Sequence, residues 1–347
     1  MGGSSKMYMT QVASNRDVCR RLSLDALSDT MEHAFILEGP EGSGKKLIAT
    51  NVAAALACLN KSREDLPIPC LECRECRKVT EGLSPDVIFV SRGEKATIGV
   101  DEARFIREDV KIIPNDLEHK VYIIEEADKM TEQAQNALLL TLEEPPAYAV
   151  FILLCESAAA LLETIRSRAP VFRTELMSTA EIEKCILEKS EKARAIKAQD
   201  PSLFAQISVS AGGTVGRALD YLDERRFAPI KSARAIAYET IELLSGGADA
   251  GKSIALIGKF PTKREALALQ LELIADAATE LLVLKRCEQR QLVFFESEQR
   301  ALELCESVSA SKLFTLCEAI QEALDENSRN ANVRLLLMKM ASRIGII

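Results

Sequence analysis

A chain of 347 residues is longer than the roughly 250–300 that one hydrophobic core serves, so two or three domains are expected. Its composition is 47% hydrophobic with no run near the roughly 20 apolar residues of a membrane helix, which reads as a soluble, cytoplasmic protein and excludes a membrane-spanning one. A net charge of −8 excludes a surface built throughout for nucleic acid, because phosphate affinity comes from Lys and Arg that displace counter-ions; a local basic stripe stays open.

The first residues, MGGSSKMYMTQ, carry one Lys and no apolar stretch, so they are not a secretory signal, and MGGSSK reads as a disordered leader or a vector-derived remnant. AFILEG (34–39) is a strand that runs into a glycine loop, and LIATNVAAALAC (47–58) is the helix after it. DVIFV (86–90), HKVYIIEEAD (119–128) and VFILLCES (150–157) are further β runs, continuous and β-branched in the manner of buried parallel strands. Between the last two, AQNALLLTLEEPP is an amphipathic helix: Thr131 can cap its start, Ala137, Leu138 and Leu142 recur at helical spacing, and Pro145-Pro146 stops it. From about Glu175 the β signals vanish. Ser178 and Glu181 stand at capping-box spacing, and helical patterns continue to the terminus with breaks at Gly212-Gly213, Gly246-Gly247 and Pro261. In the last helix Val333, Leu336, Leu337 and Met340 form one apolar stripe, of the kind that usually joins its own core. The expected architecture is α/β: a parallel-sheet domain over 1–175, a small helical module over 176–228 and a helical C-terminal domain over 229–347.

The segment Gly39-Pro40-Glu41-Gly42-Ser43-Gly44-Lys45 follows a strand and opens a helix, the context in which backbone N–H groups cradle phosphates and a Lys reaches their oxygens. It is a P-loop in shape. The next residue is Lys46, where a working loop has Ser or Thr to hold Mg²⁺. An ammonium has three donors and no acceptor, so Lys46 cannot ligate a cation. Nucleotide can still bind through the backbone and Lys45, or the loop keeps its shape and holds none.

Ten cysteines without a secretory signal read as reduced thiols and metal ligands, not a disulfide framework. Only His33 and His119 are available as imidazoles, and Trp is absent, which argues against a His-rich metal centre and against aromatic stacking platforms. Cys70, Cys73 and Cys76 form C-x-x-C-x-x-C, and Cys58 ends the helix just upstream. Four thiolates satisfy tetrahedral Zn²⁺ completely, so this is a structural zinc site; an iron–sulfur cluster, or Cys58 as a core thiol, are the alternatives. Cys19, Cys155, Cys185, Cys287, Cys305 and Cys317 are scattered among apolar residues and read as small core fillers.

Together HAFILEGPEGSGKK, the four-Cys insertion, VYIIEEADKM, QNALLLTLEEPP, LLETIRSR and GGTVGRAL resemble the clamp-loader branch of the AAA+ family over essentially the whole chain. The resemblance implies a P-loop AAA+ sheet domain, a helical lid and an all-α collar that closes a five-subunit ring of the DNA polymerase III holoenzyme. That ring combines gamma/tau motor subunits with a delta subunit and with delta prime, which serves largely as a rigid scaffold, and it loads a sliding clamp onto primer-template DNA. It also implies roles: Gly39, Gly42, Gly44, Lys45 and Lys46 at the nucleotide, Glu125 where motors place a magnesium-positioning Asp, Glu126 to orient the attacking water, and Arg168 of Ser167-Arg168 as an arginine finger for a neighbour's site.

Several positions depart from that pattern. Glu125 is one methylene longer than Asp, Cys155 stands where motors carry a Thr or Asn sensor, Gly216 stands in place of a sensor Arg with Arg217 one position later, and Ala169 replaces the usual Cys after the finger. Arg217 reads as an ordinary helix-surface charge. Loss of the Mg²⁺ hydroxyl, the Asp and both sensors aligns the chain with the scaffold type, without ATP hydrolysis of its own. A catalytic gamma/tau-type motor is the rival, and a stand-alone P-loop kinase is disfavoured because the Ser-Arg and the four-Cys insertion would then lack a purpose.

Overall fold

A parallel strand cannot be reached by a tight turn, so each one costs the chain a crossover, and here helices supply them. The computed structural model describes residues 7–28, 30–246, 250–286, 292, 294, 295 and 297–345. The MGGSSK leader, Gly247 of the expected helix break and the thiol of Cys287 lie outside the described residues. The chain forms two compact units, Met1–Met177 with Thr214–Gly216, and Ser178–Gly213 with Arg217–Ile347.

In the first unit, strands β1 (Ala34–Glu38), β2 (Val87–Val90), β3 (Lys120–Ile124), β4 (Ala149–Cys155) and β5 (Val171–Arg173) make one parallel sheet in the order β2-β3-β4-β1-β5. Its helices are α1 (Arg16–Leu27), α2 (Lys45–Leu56), α3 (Arg74–Thr80), α4 (Val100–Asp109), α5 (Glu132–Glu143) and α6 (Glu163–Arg166). Side chains alternate across a strand, and the alternation divides the core in two. Phe35, Leu37, Val121, Ile123, Ile152 and Leu154 pack with residues of α1, α2 and α3, while Ile36, Tyr122, Ile124, Phe151 and Leu153 pack with residues of α4, α5 and α6. The result is a three-layer α/β domain.

The four β runs read from sequence are β1 to β4. The fifth strand has no such signature: Val171 and Arg173 are exposed and Phe172 half-buried, and β5 is held by its ladder to Ile36–Glu38. Helix α5 is capped as expected, with the Ala134 N–H donating to Thr131 Oγ1 at 3.2 Å, and Leu138 and Leu142 face the core.

The second unit contains only helices among its described residues: α7 (Thr179–Lys189), α8 (Glu191–Gln199), α9 (Pro201–Ser210), α10 (Val215–Tyr221, begun in the first unit), α11 (Glu224–Gly246), α12 (Ala250–Ile257), α13 (Arg264–Leu284), α14 (Glu298–Ser307), α15 (Ala310–Ser328) and α16 (Val333–Arg343). The box at α7 forms, with the Glu181 N–H on Ser178 Oγ at 3.2 Å and the Ser178 N–H on Glu181 Oε2 at 2.9 Å. A single apolar cluster from Ile236 to Ile344 fills the C-terminal part. It includes Leu336, Leu337 and Met340, with Val333 packed against it, so the expected stripe of α16 is this unit's own core. Leu335 and Met338, on the other side of α16, are exposed.

Candidate nucleotide site, cysteine cluster and exposed arginine

The glycine loop spans the gap from the end of β1 to the start of α2, and its shape is fixed by close approaches. Gly44 caps α2 in the left-handed region, φ +91°, where a Cβ is unfavourable. A Cβ on Gly39 would lie 1.7 Å from Thr174 Oγ1. The protein itself holds the loop: Thr174 Oγ1 bonds Ser43 Oγ at 3.0 Å, Asn15 Nδ2 donates to Ser43 O at 3.4 Å, and the Gly216 N–H donates to Gly42 O at 3.0 Å. Position 216 touches the loop as bare backbone, since a Cβ there would lie 2.7 Å from Gly42 Cα; no side chain, an Arg least of all, fits without moving one of the two. Lys45 Nζ donates to Pro40 O at 2.9 Å and to Gly39 O, and burial, the largest cause, pulls its pKa below the ordinary value.

Both acids after β3 have cations. Lys46 Nζ lies 2.6 Å from Glu125 Oε1 and 5.2 Å from the centre of the Phe89 ring. Arg92 Nε lies 2.8 Å from Glu126 Oε2. Glu126 also holds a left-handed backbone, φ +50°, a conformation that costs a non-glycine residue about 1 kcal/mol and concentrates at functional sites. The sequence reading missed Arg92, though strand register supplies the signal: Val90 pairs with Ile124, which sets the residue two beyond the one beside the residue two beyond the other. At the end of β4, Cys155 is buried and its thiol is pushed up to about 12, first by burial. It offers neither the hydroxyl nor the amide of a phosphate sensor.

Magnesium requires near-octahedral oxygen ligands at roughly 2.0–2.1 Å. At this loop the residue in the hydroxyl's place is an ammonium, and the nearest carboxylate is bonded to it. The donor set does not fit the ion.

The cysteine cluster is the opposite case. The Sγ atoms of Cys58, Cys70, Cys73 and Cys76 all lie within 4.8 Å of one another, with Cys70 and Cys76 at 3.9 Å. A tetrahedral ion at a Zn–S distance of about 2.3 Å separates its sulfurs by about 3.8 Å. The N–H of Cys73 and the Nδ2 of Asn60 each donate to Cys70 Sγ at 3.4 Å, and the Cys76 N–H donates to Cys73 Sγ at 3.5 Å, the hydrogen bonds a thiolate ligand accepts. The hydrogen bond from Cys76 is the first cause that lowers Cys58, to about 5, while Cys76 is driven upward by the same bond and by burial. Cys58 is therefore part of the cluster. Of the other thiols, Cys19, Cys155, Cys185 and Cys305 are buried and Cys317 is half-buried.

Arg168 follows α6 on the surface. Its Nη2 pairs with Glu143 Oε1 at 2.8 Å, and its Nη1 donates to Thr164 O at 3.0 Å. About two fifths of each side chain in the pair is exposed (38% and 44%).

Residues 14–177, which contain the loop, both acids, the four cysteines and Arg168, match the sequence profile described as DNA polymerase III, delta subunit. Over 215 residues the chain is 34% identical to DNA polymerase III subunit tau of Bacillus subtilis (strain 168), and over 161 residues it is 32% identical to that organism's subunit delta'. The chain is similar to subunits of the bacterial clamp loader. The aligned stretches cover 61% and 46% of this chain, which spans only 37% of that tau and 47% of that delta'. Subunit gamma of Buchnera aphidicola subsp. Acyrthosiphon pisum (strain APS) aligns over 89% of the chain and 80% of its own length, at 26% identity. Among solved structures, a match to a gamma subunit-related protein of Thermotoga maritima covers 94% of this chain and 98% of that one, at 18% identity and a TM-score of 0.45.

Proposed function

We propose that the chain is a delta prime-like scaffold subunit of the DNA polymerase III clamp loader, a cytoplasmic protein that helps load the sliding clamp onto primed DNA. Its partners on this reading are the gamma/tau motor subunits, the delta subunit and the clamp, with primer-template DNA reached through the complex. One observation carries the reading: both carboxylates that would serve hydrolysis are bonded to cations of the chain itself, Glu125 to Lys46 and Glu126 to Arg92. The loop over 39–45 with Lys45 is the place where the chain would hold a nucleotide. Turnover is what it lacks. Arg168, exposed and outside that constellation, acts in trans as the finger for ATP on a neighbouring motor. The four cysteines hold a structural zinc. The lid is residues 176–228 and the collar residues 229–347, with α11 carrying the chain across that boundary and the cluster from Ile236 onward as the collar core.

Magnesium-dependent ATP turnover by the isolated chain tests the reading. Turnover at a motor-like rate that is abolished by Lys45→Ala would sink it. That outcome belongs to the second reading, a gamma/tau-type motor, which the identity to tau and gamma relatives favours and in which Glu126 would orient the attacking water.

A further inference from the structure

We propose that Lys46 is the resident cation of the glycine loop, and that the loop takes a nucleoside diphosphate or triphosphate free of magnesium. The inference rests on the reading of residues 39–45 as a nucleotide seat. A divalent ion at such a seat has two tasks: it answers the acid that follows β3, one strand removed from β1 in the sheet, and it offsets phosphate charge. Here Lys46 Nζ lies 2.6 Å from Glu125 Oε1, a charge-assisted contact as short as such bonds become. The Phe89 ring, 5.2 Å from the same nitrogen, adds a face that favours a cation. An ion entering between Lys46 and Glu125 would have to displace an ammonium from its carboxylate and would then face that ammonium at close range, with no hydroxyl to bind.

The phosphate-facing parts do not need the ion. The first amides of α2 have no partner within the helix, and they sit at its positive end. Lys45 is held by the carbonyls of Gly39 and Pro40, neutral acceptors that a phosphate oxygen outbids because its charge strengthens the bond. Metal-free nucleotide is then the preferred ligand. Magnesium in solution competes for that nucleotide instead of bridging it to the protein, so the sign of the magnesium effect is opposite to a motor's.

The test is titration of the full chain with a fluorescent ADP analogue, once with excess magnesium and once in magnesium-free buffer without chelator, which leaves the cysteine cluster intact. The expected result is affinity without magnesium equal to or tighter than with it. In Lys46→Thr the order reverses, with magnesium tightening binding by about tenfold, or about 1.4 kcal/mol. Wild-type binding that weakens about tenfold or more when magnesium is left out overturns the inference, as does absence of binding under both conditions. The second of these leaves the scaffold reading standing, whereas magnesium-dependent binding accompanied by turnover removes both.

Discussion

Helix α2 begins at the glycine loop and ends beside Cys58, so one helix serves two sites, and the two differ in what their donors are bonded to. At its C-terminal end four sulfurs lie within 4.8 Å of one another, and those of Cys70 and Cys73 accept backbone N–H bonds, a set that can hold an ion. At its N-terminal end the groups that would hold magnesium and steer water are satisfied by Lys46 and Arg92. Both ends carry a recognisable motif. A motif records which residue types are present; the state of a site depends on whether their bonding capacity is still free.

The largest effect is expected at the complete end. Metal analysis of the chain purified without chelator should find one zinc per molecule, and because a structural zinc contributes on the order of 10 kcal/mol to its module, Cys73→Ala should lose the metal and loosen the 58–80 segment in hydrogen exchange. Absence of zinc in the wild-type chain would erase the contrast between the two ends.

At the other end the expected activity is negligible. Misplacement of a catalytic group by roughly an ångström costs about a hundredfold, and four parts differ at once: Lys46, Glu125, Cys155 and Gly216. Lys46→Thr alone should therefore give magnesium a seat without giving the isolated chain turnover. A motor-like rate in that single variant would mean that one ion pair was the whole defect.

How legible the two ends were in the sequence follows the same division. The loop, the cysteine spacing and four strands were readable because each is a local pattern, of glycines, thiols or continuous apolar residues. Strand β5 was not, since two of its three side chains are exposed and its evidence is a ladder to β1. Neither were the anchors Asn15 and Thr174, which reach Ser43 from 28 and 131 positions away, nor the partner of Glu126, which needed the β2–β3 register. Lys46 was read as a residue that cannot bind magnesium. That it also satisfies Glu125 depended on the fold.

On the scaffold reading, Arg168 would extend the comparison outside its own chain. A finger is worth about 10³–10⁵ in rate at the site it serves, and Lys replaces it poorly because it lacks the planar fork. Since Arg168 would serve one site of a ring, Arg168→Ala in a reconstituted, size-verified complex should lower clamp- and DNA-stimulated turnover severalfold while assembly stays intact. Unchanged turnover would make it a surface charge.

The smallest expected effect belongs to the partner of that arginine. Glu143 and Arg168 form an ion pair at 2.8 Å with 44% and 38% of their side chains exposed, and such pairs contribute about 0–1 kcal/mol because water and salt screen them. Arg168 also bonds Thr164 O and Ser167 Oγ, so removing the carboxylate charge leaves the guanidinium two anchors on its own helix segment. Glu143→Gln should accordingly change unfolding free energy by less than about 0.5 kcal/mol, and turnover of the reconstituted complex should stay close to wild type. Were Glu143→Gln as damaging to turnover as Arg168→Ala, with the fold unchanged, the pair would be a positioning device that aims the finger. The rescue test is Glu143→Asp, which keeps the charge on a shorter arm: recovery would show that the charge matters, and no recovery that its reach does.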